Sequence, residues 1–274
     1  MSTSIAMAFA KGASAFRAYL ESPHGRLRQE IVADQAARLI ARTWGPDPPS
    51  LRVLDVGCGT ADVALRLAAA GHGLSLLDPV PEMLAFARES AQALTPPPAI
   101  PPRFIQGSLE EAPALLTGQT FDLVLCHTLL EYLGDPYGAL RSLAPLLARG
   151  GCLSLVALNR RQEPFHAAIR DAKLDEARTK LTAEGTTDSL FGLPRTALVL
   201  EELRHHLSAV GIEVVEHEGI FVFADYLAPG PLEEPSRFRT LFRLEVEAGA
   251  LSPFREVARY LHCWGRRAAP SEGR

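Results

Sequence analysis

Cysteine is scarce in this chain, and the four present, Cys58, Cys126, Cys152 and Cys263, never fall at C-x-x-C spacing. That excludes the usual zinc and dithiol motifs. The first three lie in or beside apolar stretches that read as core strands, so buried free thiols are expected, with no metal site and no disulfide framework. Long apolar runs are also missing. None approaches the ~20 residues of a membrane helix, and residues 1–11 carry no long apolar segment behind a basic start. A soluble, cytoplasmic protein is expected. Positive charge is not in excess: 28 Lys and Arg stand against 32 Asp and Glu, a net charge of -4. With an isoelectric point near 6.1, that argues against a general nucleic-acid binder but leaves room for a local basic patch. No internal repeat is found. The third glycine of the dinucleotide fingerprint G-x-G-x-x-G is absent as well, because the sequence reads Gly57-Cys58-Gly59-Thr60-Ala61-Asp62.

What is present organises itself around that stretch. Leu51, Val53, Leu54 and Val56 form a short apolar run that reads as a buried strand, and 63–68 reads as a helix. A strand turning through glycines into a helix is a small-ligand cradle, since glycine lets backbone approach the ligand and the helix start offers free N–H groups. Asp55 precedes the first glycine by two positions, and the next strand, Leu74-Ser75-Leu76-Leu77, ends in Asp78. A carboxylate there can accept the two hydroxyls of a ribose. In this ordered series the residues resemble the nucleoside-binding half of class I S-adenosylmethionine-dependent methyltransferases. The resemblance implies a Rossmann-like α/β fold with a mostly parallel seven-stranded sheet and helices on both faces, and S-adenosyl-L-methionine as cofactor.

At 274 residues and 47% hydrophobic content the chain suits one large α/β domain. Residues 1–50 read as a helical cap, with helices over 13–20 and from 27 to about 42; they either close over a cofactor or pack on the sheet edge. Residues 51–158 read as the cofactor-binding half. The third strand is expected at 103–107 after a proline-rich connector, the fourth at 121–126, then a helix from Asp135-Pro136 to about 147 ended by Arg149-Gly150-Gly151, and the fifth strand at 152–158. Strands spaced by helices imply a parallel sheet. Residues 159–196 read as a substrate-side insertion with an amphipathic helix from 165 to about 184. Residues 197–274 return to the sheet with a helix at 199–210, a strand at 212–218, a further strand over 219–226, a helix at 238–251 and a last strand ending at Trp264. The tail 266–274 is expected to fray.

Several separate patches extend the resemblance over nearly the full length to one bacterial group, the tRNA carboxymethoxyuridine carboxyl methyltransferases and their relatives. They are Gly25-Arg26-Leu27-Arg28-Gln29, His127-Thr128-Leu129-Leu130-Glu131-Tyr132, Gly150-Gly151-Cys152-Leu153-Ser154-Leu155 up to Asn159, Phe221 to Leu227, and Arg259-Tyr260-Leu261-His262. The resemblance implies that Arg28 reaches the cofactor, that Gly57 and Gly59 line its methionine end, and that Asp55 is also among the cofactor-binding residues. It implies further that Asp78 holds the ribose, Ser108 and Leu109 flank the adenine, and His127 lies beside the sulfonium. Arg28 could equally be a surface arginine, although a guanidinium matches a carboxylate in a two-point fork. One departure stands out: in place of an expected lysine run, residues 171–180 alternate in sign. Seven arginines between 237 and 267 form either a modest phosphate-facing patch or a scattered soluble surface.

Methyl transfer from a sulfonium is an in-line displacement, so the protein mainly has to align the partners. A carboxylate acceptor needs no base; it needs cations or donors to hold it, and Arg160, Arg195, Tyr226 and Tyr260 are the candidates. A hydroxyl or amine acceptor would use a base, for which His127 and Glu131 are the candidates. Carboxyl methylation of tRNA is therefore expected by resemblance, with a small organic acid, phenol or amine as the alternative acceptor, and a non-catalytic binding module as a third possibility.

Overall fold

The structure is a computed structural model that describes residues 3–183, 185–187, 190–227 and 230–269. Two helices lead, α1 (Thr3–Glu21) and α2 (Pro23–Trp44). Ser22 separates them and caps α2: its hydroxyl oxygen accepts from Gly25 N, and Pro23 supplies the first helical residue. Alternation follows: β1 (Arg52–Val56), α3 (Asp62–Ala69), β2 (Gly73–Asp78), α4 (Pro81–Gln92), β3 (Arg103–Gln106), α5 (Ala112–Leu115), β4 (Phe121–His127), α6 (Leu140–Leu143) and β5 (Leu147–Leu158). The insertion holds α7 (Glu163–Phe165), α8 (Leu174–Lys180) and a small hairpin of β6 (Gly185–Thr187) and β7 (Pro194–Thr196). The chain closes with α9 (Leu200–Ala209), β8 (Ile212–Ile220), α10 (Pro235–Ala250) and β9 (Tyr260–Arg267).

The seven-stranded sheet has the order β3-β2-β1-β4-β5-β9-β8. The first five strands pair in parallel, and β9 slots antiparallel between β5 and β8. Side chains alternate across it as the pleat requires. Leu54, Val56 and Leu77 pack on one face with Leu140, Leu143, Leu203 and Leu207. Val53 and Leu76 pack on the other with Leu39, Leu65, Leu84 and Trp264. Burial on both faces explains the near-continuous apolar strands. The four cysteines are buried and free. No helix among the described residues is long and apolar enough to cross a membrane.

The expected α/β class and the strand order along 51–158 are those observed, and four local expectations are corrected. The helix expected from Asp135 to about 147 shrinks to α6 and a 3₁₀ turn at Ala144–Leu146, because Pro145 cannot continue an α-helix. Gly150 and Gly151 fall inside β5, with Gly150 at φ +76° beside a register shift against β4, so they bend a strand and do not end a helix. The insertion helix breaks into α7, a π turn at His166–Arg170 and α8. The strand expected over 219–226 stops at Ile220. There Phe221 turns to φ +63° and the buried Glu245 carboxylate accepts from the amides of Val222, Phe223 and Ala224 at 2.6, 2.8 and 2.6 Å. Those amides are lost to a ladder, and 224–226 becomes a 3₁₀ turn.

Candidate active site

A cavity of about 830 Å³ opens at the carboxyl ends of β1, β2 and β4, under α1, α2 and the insertion. Its floor is the glycine turn. Gly57 and Gly59 hold φ +67° and +52°, a region that costs glycine nothing. The amides of Gly57 and Cys58 both bond Leu77 O, at 2.8 and 3.1 Å, which ties the turn to β2. Asp78 completes the cradle by accepting from Gly59 N at 2.9 Å and Val80 N at 2.8 Å. Ala61, in the left-handed region, starts α3 without a side-chain cap, so the helix start faces the cavity with its first amides available.

Three carboxylates surround this turn: Asp55, Asp62 and Asp78. Burial, with Asp78 and Asp62 close by, pushes Asp55 up to about 8. Burial also raises Asp78 to about 6, against the pull of its two amide donors. Asp55 therefore keeps a proton near neutral pH that a nearby cation would displace. Among the described residues no group of three or more His, Cys, Asp or Glu is placed to hold a metal.

The opposite wall is cationic. Arg28 reaches in from α2, its guanidinium 5.4 Å from the Tyr19 ring and 5.6 Å from the Tyr260 ring. Among the described residues no carboxylate pairs with it. Arg170, Arg195 and Arg259 also line the cavity. Arg259 and Arg170 lie 3.3 and 4.0 Å from Asp225, and His24 bonds the same carboxylate at 3.1 Å. Although burial works the other way, His24 and Arg259 keep Asp225 below its ordinary value. Aromatic rings roof the space: Phe9 sits 4.4 Å from Phe191 and 4.9 Å from Tyr132, and Phe16 5.7 Å from Phe191.

Of the residues singled out in sequence, the cavity gathers Arg28, Asp55, Gly57, Gly59, Asp78, His127, Glu131, Arg195, Tyr226 and Tyr260. Three stand elsewhere. Ser108 and Leu109 are buried outside the cavity wall, with Leu109 part of the apolar core. Arg160 turns away from the site and bonds Glu202 at 2.7 Å, because it leaves β5 at the turn that docks against α9. Sequence reading missed Asp62, Arg170, Phe9 and Phe191 as lining residues. Asp62 carried a signal, an acidic first residue of the helix after the glycine turn. The others are brought in by α1 and the insertion, whose placement no local pattern encodes.

Comparisons with known proteins agree with this geometry. Residues 53–151 match the family model described as a methyltransferase domain. The tRNA 5-carboxymethoxyuridine methyltransferase of Escherichia coli strain K12 is 27% identical, over 89% of each chain. The ubiquinone biosynthesis O-methyltransferase of Vibrio parahaemolyticus is 36% identical, over 50% of this chain and 55% of its own. Among solved structures, the magnesium protoporphyrin IX methyltransferase of Synechocystis PCC 6803, crystallised with bound SAH, superposes with TM-score 0.57 at 16% identity, over 88% of this chain and 84% of its own. The CcbJ methyltransferase of Streptomyces caelestis does so with TM-score 0.55 at 18% identity, over 86% and 90%. These two share the fold. Residues 53–151 are thus a methyltransferase domain, carried on the seven-stranded sheet with the glycine cradle at its carboxyl edge, and the chain is an S-adenosylmethionine-dependent methyltransferase.

Proposed function

We propose that this methyltransferase esterifies the carboxylate of 5-carboxymethoxyuridine in tRNA, working in the cytoplasm as one domain over 1–274. The carrying observation is the cationic wall: Arg28, Arg170, Arg195 and Arg259 line the cavity, and Arg170 and Arg259 share the one carboxylate of Asp225. Such a wall suits an anionic acceptor. The likeness to the tRNA-modifying relative across 89% of both chains, well beyond the shared cofactor half, supports the same reading.

The residues present fit the cofactor. S-adenosylmethionine, when bound, supplies a methyl group on a sulfonium. Gly57 and Gly59 let it lie against backbone, Asp78 retains lone pairs for the ribose hydroxyls, and Arg28 offers its fork to the methionine carboxylate. Asp55, ionised once a cation arrives, balances the positive end. Arg195 and Arg259 hold the acceptor carboxylate, with Tyr226 and Tyr260 as neutral donors. A carboxylate is already ionised at neutral pH, so neither His127 nor Glu131 has to remove a proton. The roof of Phe9, Phe16 and Phe191 gives flat apolar surface over the site.

A small organic acid, phenol or amine is the second reading, and the insertion favours it. Lys173 pairs with Glu176 at 3.3 Å and Lys180 with Glu163 at 2.7 Å, so these lysines are committed to carboxylates. Arg237 and Arg255 likewise pair with Glu234 and Glu256. The two readings separate in one experiment. Methyl-labelled S-adenosylmethionine is offered with carboxymethoxyuridine-bearing tRNA or with a small-metabolite extract. Label in the tRNA is the expected result; label only in the small-molecule fraction overturns the tRNA assignment.

A further inference from the structure

A line of buried polar groups leaves the cavity and crosses the sheet. It joins His127 on β4, Ser154 on β5, His262 on β9 and Gly219 on β8, four successive strands, with Gln35 of α2 inserted before the last. His127 Nε2 lies 2.8 Å from Ser154 Oγ, and Ser154 Oγ 2.8 Å from His262 Nε2. His262 Nδ1 lies 2.7 Å from Gln35 Oε1, and Gln35 Nε2 donates to Gly219 O at 3.0 Å. Gln35 and Ser154 are fully buried and His262 is 2% exposed.

The far end fixes the direction of every proton. A backbone carbonyl only accepts, so the Gln35 amide nitrogen must face Gly219 and its oxygen must face His262. His262 Nδ1 therefore carries hydrogen. The charged and titratable groups around His262 are Glu218, its register partner on β8, whose carboxylate is held by Arg38 at 2.8 and 3.0 Å, Arg38 itself and the neighbouring His127. Burial and Arg38 push His262 down to about 3, so it is neutral and its Nε2 is a lone pair. The single Ser154 hydroxyl proton goes to that lone pair. The serine oxygen then accepts from His127 Nε2–H. Burial, His262 and Arg28 hold His127 well below its usual range, so it is neutral too, and its Nδ1 is left as a lone pair. That nitrogen has no partner among the described residues, and His127 lines the cavity together with Arg28.

We propose that Gln35, His262 and Ser154 are positioning residues, a one-way hydrogen-bond rail that locks His127 as its Nε2–H tautomer. Its Nδ1 then accepts from the α-ammonium of the cofactor's amino-acid end while Arg28 takes the α-carboxylate. A guanidinium that no carboxylate of the described residues pairs, beside a neutral acceptor, is complementary to a zwitterion: an ammonium placed at Arg28 would be repelled, and a protonated His127 would repel it as well. This assignment rests on the cavity being the S-adenosylmethionine site and is independent of which acceptor is methylated.

Two readouts test it. In the wild-type protein with ¹⁵N-labelled histidine, long-range ¹H–¹⁵N correlations report which ring nitrogen holds the proton, with assignment through backbone-linked correlations. The rail requires Nδ1–H at His262, the tautomer less common in free histidine, and Nε2–H at His127, with the His127 Nδ1 resonance moving when S-adenosylhomocysteine binds. Nδ1–H at His127, Nε2–H at His262, or a His127 Nδ1 that ignores the ligand overturns the proposal, and none of these depends on a variant folding. The second readout is calorimetry on Ser154→Ala with two ligands, S-adenosylhomocysteine and 5′-methylthioadenosine, which lacks the amino-acid end. About a tenfold loss for the first with the second unchanged is expected, the scale of one hydrogen bond to a charged group. Equal losses, or none, assign Ser154 a packing role only and overturn the rail.

Discussion

At the scale of single residues, Asp55 decides more than its size suggests. It is buried on β1, and its pKa near 8 lies far above the ~4 of an unfolded chain. A carboxyl raised on folding stabilises fully below its unfolded value, and that contribution is lost as pH rises toward 8. Asp55→Asn, which stays neutral, is therefore expected to melt higher than wild type at pH 8 and alike near pH 4, while losing cofactor affinity. Equal melting at pH 8 would contradict the assignment. The cofactor's positive charge favours the ionised form, so binding releases a proton. Affinity for S-adenosylmethionine should climb from pH 6 and level above about 8; a flat calorimetric profile would contradict this. Asp55 was legible in sequence as an acidic residue two before Gly57. Its protonation was not, because that depends on Asp62 and Asp78, which only the fold brings near.

At the scale of elements, two joints hold the site. The first is Glu245 on α10, whose carboxylate gathers three amides and stops β8 at Ile220, so that Asp225 and Tyr226 reach the cavity. Glu245→Ala leaves those donors buried and unsatisfied at roughly 1 kcal/mol or more each, so about 3 kcal/mol in all. The melting temperature should drop by roughly 6–12 °C at about 2–4 °C per kcal/mol; a drop under a degree would refute the anchoring role. The second joint is Gly25, where α1 meets α2. A methyl group there would overlap Tyr19 O and come within 2.7 Å of Leu20 Cα. Gly25→Ala should lift α1 from the cavity, destabilise by about 1–3 kcal/mol and expose the N-terminal helix to protease; unchanged cleavage would contradict it. Sequence pattern found the strands β1 to β5 because each is an apolar run beside a turn signal. It lengthened the helix before β5 and drew a strand after Ile220, since a π turn, a 3₁₀ turn and a side chain capturing amides from 21–23 residues away leave no local periodicity.

At the scale of the whole molecule, chemistry converges from distant segments: Arg28 from the N-terminal helices, Asp55 and Asp78 from the first two strands, Arg195 from the insertion and Tyr260 from the last strand. The glycine turn and its acidic neighbours were readable because they are contiguous. Arg160 was misplaced because its direction is set by Glu202, 42 residues on. The rail from His127 to Gly219 was unreadable because Gln35 and His262 stand 227 residues apart. What these segments build together is a cavity with an acidic floor and a cationic wall, and the carboxylate acceptor proposed for it makes an ester the expected product. The most direct test is to label the product with methyl-labelled S-adenosylmethionine and expose it to mild alkali. Release of the label as methanol is the predicted result; label that survives alkali would mean an ether or amine and would contradict a carboxylate acceptor.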